Sequence, residues 1–350
     1  MIFKYNTKLK RLIKNKLAFF SLLVISILYI LSIFAPFVSP YDFDEEDRSL
    51  SYAPPTKIYL FDGFKIKPYF YKLNYRFDEF NRKIYYEDKS KKYFIKFFKR
   101  ANPYRMLFFK SDIHLFGADE KIYLLGADYR GRDIFSRIIY GSRVSLSIGL
   151  IGIFFTFFIG VFIGAISGYF GGFLDNLIMR LCEIIMVIPS FYILLSLRSI
   201  FSYSLTSIQI YFIIVIIMSL INWAPIARVI RGMALSLKEK EFVLASKALG
   251  SSEIKIILNH IIPHTYPYLI TSLTLSIPSY ILGESALSML GLGIQEPYVS
   301  WGNLLSEAMS IMQIKFHPWI LFPGFFIFLA VFAFNVLGQS LRDIFDPKTY

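Results

Sequence analysis

Ionisable side chains inside long apolar runs are the first residues of this sequence that could do chemistry. Arg180 and Glu183 lie three residues apart in one run, and Glu284 lies in another. A charged group in hydrocarbon is costly, so such residues usually face a bundle interior or a water-filled path. Arg180 and Glu183 can neutralise each other on one helical face, which we favour over a place in a substrate path. Glu284 has no oppositely charged residue three or four positions away, so it is the better candidate for an interior or pathway position.

Catalytic motifs are missing from the sequence. No G-x-x-x-x-G-K followed by Ser or Thr occurs, so the chain is not expected to bind and hydrolyse ATP through a phosphate-binding loop. No nucleophile, base and orienting group can be aligned from motifs. The single cysteine, Cys182, and four scattered histidines give no metal-binding pattern. We therefore expect no enzyme activity, and no catalytic residue, metal or cofactor in this chain.

The elements that must hold the charged residues are membrane-spanning helices. Hydrophobic residues make up 55% of the 350 residues and charged residues only 18%, far more apolar than a typical soluble domain. The apolar residues gather into runs of about twenty, the length that an α-helix needs to cross a bilayer. The runs cover residues 17–38, 144–166, 177–197, 208–226, 268–290 and 319–337. The sequence therefore predicts an all-α membrane protein with about six transmembrane helices.

Basic residues set the expected topology. The net charge is +13, but many Lys and Arg residues flank apolar runs, where they orient the chain and meet anionic lipid, so nucleic acid is not an expected partner. The basic, acid-free start predicts a cytoplasmic N-terminus over residues 1–16 and an uncleaved first helix over 17–38. An even number of spans returns residues 341–350 to the cytoplasm, and the basic loop 228–264 falls on the same side.

A long segment after the first helix is expected outside the cytoplasm. Residues 39–142 contain no run able to span a bilayer, and their alternating polar and aromatic residues indicate some strand and hairpin content. The stretch 85–109, rich in Lys and aromatic residues, is expected either to contact another protein rather than lipid or to shield the mouth of a pathway. Residues 143–340 then form a five-helix core.

Gly160, Gly164 and Gly168 recur every four residues and so lie on one helical face. Side-chain-free positions at this spacing let another helix approach closely. The pattern fits a sliding contact between subunits or helices, and it fits ordinary tight packing equally well.

The loop 228–264 contains a helix–glycine–helix elbow. Residues 241–249 predict a short amphipathic helix closed by Gly250, and a second helical stretch begins at Ser251 or Ser252 and ends before Pro263. Glu241 and Lys247 could form ion pairs at the rim of a groove on another protein, and that groove could approach the backbone where the side chains are small. The small residues are Ala245, Ser246, Ala248 and Gly250. An amphipathic hairpin lying on lipid headgroups explains the same pattern nearly as well.

The elbow resembles the cytoplasmic EAA loop of binding-protein-dependent ABC importer permeases. That loop has Glu-Ala-Ala, then three residues, then Gly, with Pro thirteen residues further on. Leu244-Ala245-Ser246, Gly250 and Pro263 occupy these positions here. Leu244 replaces the usual glutamate and Ser246 the second alanine, and Glu241 could substitute for the missing carboxylate.

Further blocks are similar to the C-type permease subunit of oligopeptide and dipeptide importers. The longest is Leu-Gly-Ala-Asp-Tyr-Arg-Gly-Arg-Asp at residues 125–133. The others are a basic start before a run ending near Ala35-Pro36, Gly-Tyr-Phe-Gly-Gly at 168–172, Leu-Gly-Leu-Gly at 290–293, Ser-Trp-Gly-Asn at 300–303, and Leu-Arg-Asp at 341–343 with Asp-Pro at 346–347.

The resemblance implies a transport subunit in the inner, cytoplasmic membrane that works by alternating access. Its implied partners are a homologous second permease, two cytosolic ATPases that bind ATP and Mg, and an extracytoplasmic peptide-binding lipoprotein. The implied cargo is oligopeptides or dipeptides, and nickel or another small solute is the alternative. An ATP-independent secondary transporter or channel is a further alternative, but the inverted repeats and broken helices typical of transporters find little support here.

Overall fold

The computed structural model describes residues 14–106, 109–200 and 205–345. Most of the predicted N-terminal segment 1–16 and the Asp-Pro block at 346–347 lie outside these residues. The described chain divides into two compact units. The helical unit comprises described residues within 1–26, 146–287 and 329–350, and the mixed unit comprises those within 27–145 and 288–328.

The helices in chain order are α1 (Lys16–Ile33), α2 (Ala35–Val38), α3 (Ile134–Phe170), α4 (Gly172–Val187), α5 (Ser190–Ile200), α6 (Ser207–Leu237), α7 (Glu241–Ala248), α8 (Glu253–Ile256), α9 (Ile262–Met289), α10 (Trp301–Leu304), α11 (Ile311–Phe316) and α12 (Phe322–Phe345). A π-helical turn, Ile257–Ile261, joins α8 to α9. Short 3-10 helices lie at Arg48–Leu50, Leu305–Met309 and Pro318–Leu321.

Four stretches of helix in the described residues are long and apolar enough to cross a membrane. They are Lys16–Ile33, Ile134–Phe170, Ser207–Leu237 and Pro318–Phe345. A fifth span results when α4 and α5 are counted together, although they meet at an angle of 88°. Helix α9 covers most of the run at 268–290 and is long enough to cross a membrane, but it is not apolar enough to be counted with these four. The described chain is therefore a multi-pass membrane protein with four or five such spans, fewer than the six that the sequence predicts.

The predicted span at 177–197 is not one straight helix. Ile188 has φ −83° and ψ 128°, an extended conformation, and Pro189 follows it. The proline ring disfavours the helical conformation for the residue before it. This local rule explains why α4 ends and α5 begins here.

Five β-strands make the all-α description wrong for residues 59–117. Strands β1 (Tyr59–Asp62), β2 (Lys65–Phe77) and β3 (Lys83–Phe94) form an antiparallel sheet in the order β1-β2-β3. Strands β4 (Lys96–Met106) and β5 (Phe109–Gly117) form a separate antiparallel ribbon. The expected strand and hairpin content is confirmed, because these segments are rich in aromatic residues that favour a pleated surface.

The glycine row of α3 packs inside the helical unit. A Cβ atom at Gly164 would lie 2.5 Å from the carbonyl oxygen of Ala227 in α6, and one at Gly168 would overlap the carbonyl of Arg231. The row therefore serves close packing of α3 against α6 within this chain. Next to this contact, α3, α6 and α9 share a buried apolar cluster that includes Val161, Ala165, Ile226, Ile230 and Leu269.

Candidate functional site: the elbow and the buried polar groups

The elbow closes through a complete Schellman motif. The Gly250 amide donates to the Lys247 carbonyl at 3.0 Å, and the Ser251 amide donates to the Ser246 carbonyl at 3.1 Å. Gly250 adopts φ +79°, the left-handed conformation that this motif needs and that glycine takes at little cost. The predicted helix end at Gly250 is confirmed. Ser252 stands at the N-cap of α8, but its side chain makes no capping hydrogen bond.

Several contacts hold the elbow against the base of α9. The ring of Phe242 stacks on His264 with centroids 4.9 Å apart, and Val243 is buried. Lys247 Nζ lies 3.8 Å from Glu253 Oε1, so this lysine pairs across the elbow. Glu241 lies in the first turn of α7, where its negative charge interacts favourably with the positive end of the helix dipole.

Pro263 explains how the elbow continues into α9. Because proline has no amide hydrogen, a regular helical bond is lost at this position. The preceding turn is π-helical, with the Ile262 amide donating to the Ile257 carbonyl. Residues Glu253 to Met289 are consequently one uninterrupted helical path, ~55 Å long at 1.5 Å per residue.

The outward side of the elbow presents apolar and small residues to solvent. Leu249 is 87% exposed, and Leu244 and Ile254 are each more than half exposed. Ala245 and Ala248 are also exposed, whereas Ser246 is half-buried. An apolar surface of this kind on a loop is typical of a contact with another molecule.

Glu284 is fully buried and lies on the same helical path as the elbow. It is close enough to Tyr211 of α6 to interact with it electrostatically, and the Tyr211 hydroxyl is 2.9 Å from Ser147 Oγ. Nearby, the Tyr280 hydroxyl donates to the Gly152 carbonyl at 3.2 Å and hydrogen-bonds to Thr156. A set of polar side chains therefore lies among α3, α6 and α9.

Arg180 and Glu183 form their own ion pair. Arg180 Nη1 lies 2.7 Å from Glu183 Oε2, and both side chains are exposed in this chain. The expected ion pair between these two residues is confirmed. Their position on the surface of α4 leaves any contribution to a pathway as a proposal.

An ion pair that the sequence does not predict joins α4 to α6, with the Asp175 side chain buried and that of Arg231 partly exposed. Asp175, in the first turn of α4, accepts hydrogen bonds from Ser167 Oγ at 2.5 Å and from Arg231 Nε at 2.9 Å. Arg231 belongs to the basic loop that the sequence assigns to topology alone. Nothing in the local spacing pairs two residues so far apart along the chain.

In the mixed unit, the block 125–133 forms a buried charged cluster. Asp128 accepts hydrogen bonds from Arg132 Nε at 2.7 Å and Arg137 Nη1 at 2.6 Å. Glu296 accepts from Arg132 Nη2 at 2.6 Å, and its Oε2 lies 3.2 Å from Arg130. The block therefore joins the start of α3 to the segment that precedes α10.

Glycine and tryptophan complete this arrangement. Trp319 Nε1 donates to the Ala127 carbonyl at 3.0 Å, and a Cβ at Gly126, which has φ +84°, would overlap the Trp319 ring. Trp301 Nε1 donates to the Ile138 carbonyl at 3.0 Å. The blocks 125–133 and 300–303 therefore both contribute hydrogen bonds or packing contacts that stabilise the mixed unit.

Burial shapes the acidity of the carboxyl groups around this cluster. It raises the pKa of Asp133, whose carboxylate accepts from the Ser136 amide and hydroxyl, to about 7. It also raises the pKa of Glu307 to about 7. Burial acts in the same direction on Glu296, but the hydrogen bond and charge of Arg132, with Arg137 and Arg130, outweigh it and keep the pKa of Glu296 below its usual range.

The fold and these sites define a multi-pass membrane protein with an exposed apolar elbow on one loop. Among the described residues, no group of three His, Cys, Asp or Glu side chains is placed to hold a metal ion. Residues 160–349 match the family of binding-protein-dependent transport system inner membrane components. Residues 8–55 match the N-terminal transmembrane domain of oligopeptide transport permease C. The chain belongs to the family of binding-protein-dependent transport system inner membrane components.

Curated relatives agree with this assignment. An oligopeptide transport system permease protein from Haemophilus influenzae is 43% identical over 230 residues, which cover 65% of this chain and 71% of that protein. A dipeptide transport system permease protein from Bacillus subtilis is 31% identical over 340 residues, covering 97% and 84%. A glutathione transport system permease protein from Pectobacterium atrosepticum is 35% identical over 224 residues, covering 64% and 72%.

The predicted resemblance to peptide importer permeases is therefore confirmed. The chain is a membrane transport component and not an enzyme, and its family implies, in general terms, a partner ATPase and a binding protein.

Proposed function

We propose that this chain is the C-type permease subunit of an ATP-driven importer that carries oligopeptides or dipeptides across the cytoplasmic membrane. The observation that carries the proposal is the elbow, a hydrogen-bonded loop with an exposed apolar face in register with the EAA loop of such permeases. Relatives named for oligopeptide and dipeptide transport support the cargo. No observation favours nickel or an ATP-independent mechanism.

The elbow is the contact for a cytosolic ATPase in this proposal. Its apolar residues Leu244, Leu249 and Ile254 would be buried in the ATPase groove. Burial would be favourable because it removes their apolar surface from water. Glu241 and Lys247 would lie at the rim, and the small residues at 245, 246 and 248 would allow close approach. Because the Schellman motif, Phe242 and Pro263 tie the elbow to α9, displacement of the elbow would move that helix as a lever.

Glu284 would move with α9 inside the bundle. It lies ~50 Å along the helical path from the elbow at 1.5 Å per residue. A buried carboxylate beside tyrosine, serine and threonine hydroxyls is suited to accept hydrogen bonds from the backbone amides of a peptide substrate or to stabilise one conformation of the pathway. The Arg180–Glu183 pair would contribute to the pathway through its exposed face on α4.

The proposed assembly contains this chain, a homologous second permease, two ATPases and a peptide-binding lipoprotein. ATP and Mg bind the ATPases, so this chain needs no cofactor of its own. In the membrane we propose six spans, with α9 as the fifth and α12 as the sixth. Residues 39–142 would lie outside the cytoplasm, whereas both termini and loop 228–264 would lie inside.

Topology reporters test this orientation. A reporter fused after Tyr350 and one inserted near Lys238 should both report a cytoplasmic location, and one near Lys89 an external location. The expectation follows from helix number and from the basic residues of loop 228–264. An external C-terminus would contradict the six-span topology.

Purification of the tagged chain in mild detergent tests the assembly. Two phosphate-loop ATPases and a second permease should co-purify with it in stoichiometric amounts, because the elbow surface is apolar and needs a partner. A chain that purifies alone from membranes containing all these proteins, and still transports peptide, would exclude the proposed assembly.

A further inference from the structure

The β4–β5 ribbon packs against α2 and the first turn of α3 within the mixed unit. His114 of β5 is buried, and its Nδ1 lies 2.6 Å from the carbonyl oxygen of Ser39, the residue after α2. The Phe98 ring lies against Phe37 with centroids 6.2 Å apart, and the Phe116 ring lies against Phe135 at the start of α3 with centroids 5.9 Å apart. The contacts with Phe37 and Ser39 place the ribbon beside the end of the apolar run 17–38, where the chain is expected to leave the hydrocarbon.

The ribbon exposes aromatic side chains at this level. Phe97 and Phe109 are 65% and 73% exposed. Large apolar side chains beside basic residues are typical of elements that lie in the membrane interface.

The tip of the ribbon carries a second and independent feature. Arg105 and Lys110 are direct partners across the two strands. Like charges in this arrangement repel each other and destabilise the pairing. No carboxylate of the described chain lies within 4.0 Å of either side-chain charge, whereas Lys96, Lys99 and Arg100 at the ribbon base all have one. An anion between the two tip residues would relieve the repulsion.

We propose that the β4–β5 ribbon lies on the membrane surface and that Arg105 and Lys110 bind the phosphate groups of acidic phospholipids. Phe97 and Phe109 rest at the boundary between headgroups and acyl chains. The position of the ribbon beside the end of the apolar run 17–38 favours lipid over the protein partner that the sequence suggests for residues 85–109. The proposal rests on the chain being a membrane protein and is independent of its cargo and of the side on which the ribbon lies.

Depth-dependent quenching in lipid nanodiscs tests the proposal. The full-length chain with Cys182→Ser and Ser111→Cys carries one environment-sensitive fluorophore beside the tip. The nanodiscs contain phosphatidylcholine alone or with phosphatidylglycerol, and a spin label placed just below the headgroups quenches the fluorophore. We expect strong quenching in the acidic nanodiscs and weaker quenching in the neutral ones.

Charge reversal at the tip supplies the decisive comparison. Arg105→Glu with Lys110→Glu should shift the tip from lipid to water by more than roughly 25-fold, since losing each basic residue at an anionic surface removes a factor of about five and the two new carboxylates are repelled by the acidic lipid. The neutral pair Arg105→Gln with Lys110→Gln should fall between this variant and the parent. The matched control, Lys89→Glu with Lys91→Glu, changes the same charge at two exposed residues of β3 and should leave quenching unchanged.

Three results would overturn the proposal. The first is emission typical of water in acidic nanodiscs. The second is quenching that neither lipid charge nor tip reversal alters, or that the β3 control reduces equally. The third is shielding of the fluorophore that appears only after a binding protein or second permease is added, which would identify a protein as the partner.

Discussion

Asp128→Asn should destabilise the mixed unit by about 3–5 kcal/mol, the usual effect of removing one partner from a buried ion pair. The Asp128 carboxylate is almost fully buried and accepts hydrogen bonds from the guanidinium groups of Arg132 and Arg137. An amide in its place would leave Glu296 as the one carboxylate that contacts these two buried cations among the described residues. Thermal unfolding of the detergent-solubilised protein measures the loss.

Asp112→Asn is the matched control for this experiment. Asp112 lies in the same unit, but its side chain is exposed and 3.9 Å from Arg100. Exposed ion pairs contribute at most about 1 kcal/mol, so this variant should unfold close to the parent. Equal unfolding temperatures for the parent and Asp128→Asn would show that the cluster does not stabilise the unit.

Gly250→Val should abolish coupling between ATP hydrolysis and transport while the chain still inserts in the membrane. The left-handed backbone at residue 250 costs a residue with a Cβ roughly 1–2 kcal/mol, and a β-branched side chain more. A Cβ at this position meets nothing within 4 Å among the described residues, so in the proposed assembly any new clash would be with the ATPase and not within this chain. Co-purification of the ATPases and the transport rate at equal membrane abundance measure the effect.

Matched variants separate backbone strain from loss of the contact. Gly291→Val introduces the same side chain at a glycine with φ +76° and no neighbour within 4 Å, outside the elbow. It should retain its ATPases. Gly250→Asn should be milder than Gly250→Val, because asparagine tolerates the left-handed conformation. Normal ATPase binding and transport by Gly250→Val would mean that the elbow is not the coupling element.

A charge in the contact should have a similar effect without any strain. Ala245 is exposed in this chain, so Ala245→Asp should leave its own fold intact. In complex with the ATPase the carboxylate would be buried without a partner, which is strongly unfavourable. Ala245→Ser is the conservative control.

Local signals explain which parts of the structure the sequence predicts. The end of α7 at Gly250 follows from one glycine after an amphipathic stretch, and the Arg180–Glu183 pair follows from a spacing of three. The break at Pro189 is also a local signal, but the continuous apolar run around it favoured one span. In each case the decisive residues are neighbours in the chain.

Distant pairings explain what the sequence did not predict. Asp175 meets Arg231, and Arg132 meets Glu296, only because folding brings separate segments together. The block 125–133 stood out as a motif, yet its role as a buried charged cluster depends on a carboxylate more than 150 residues away. The strands at 59–117 were expected only as some hairpin content, because alternating aromatic residues indicate strands without fixing their partners or register.

Peptide uptake by proteoliposomes tests the central claim most directly. The vesicles contain this chain with the proposed second permease and ATPases, and the proposed binding protein and a labelled oligopeptide are added to the side on which residues 39–142 lie. The proposal predicts uptake that needs both ATP at the ATPases and the binding protein, and that stops in the Gly250→Val variant but not in Gly291→Val. Uptake at an equal rate without ATP or without the ATPases would contradict it.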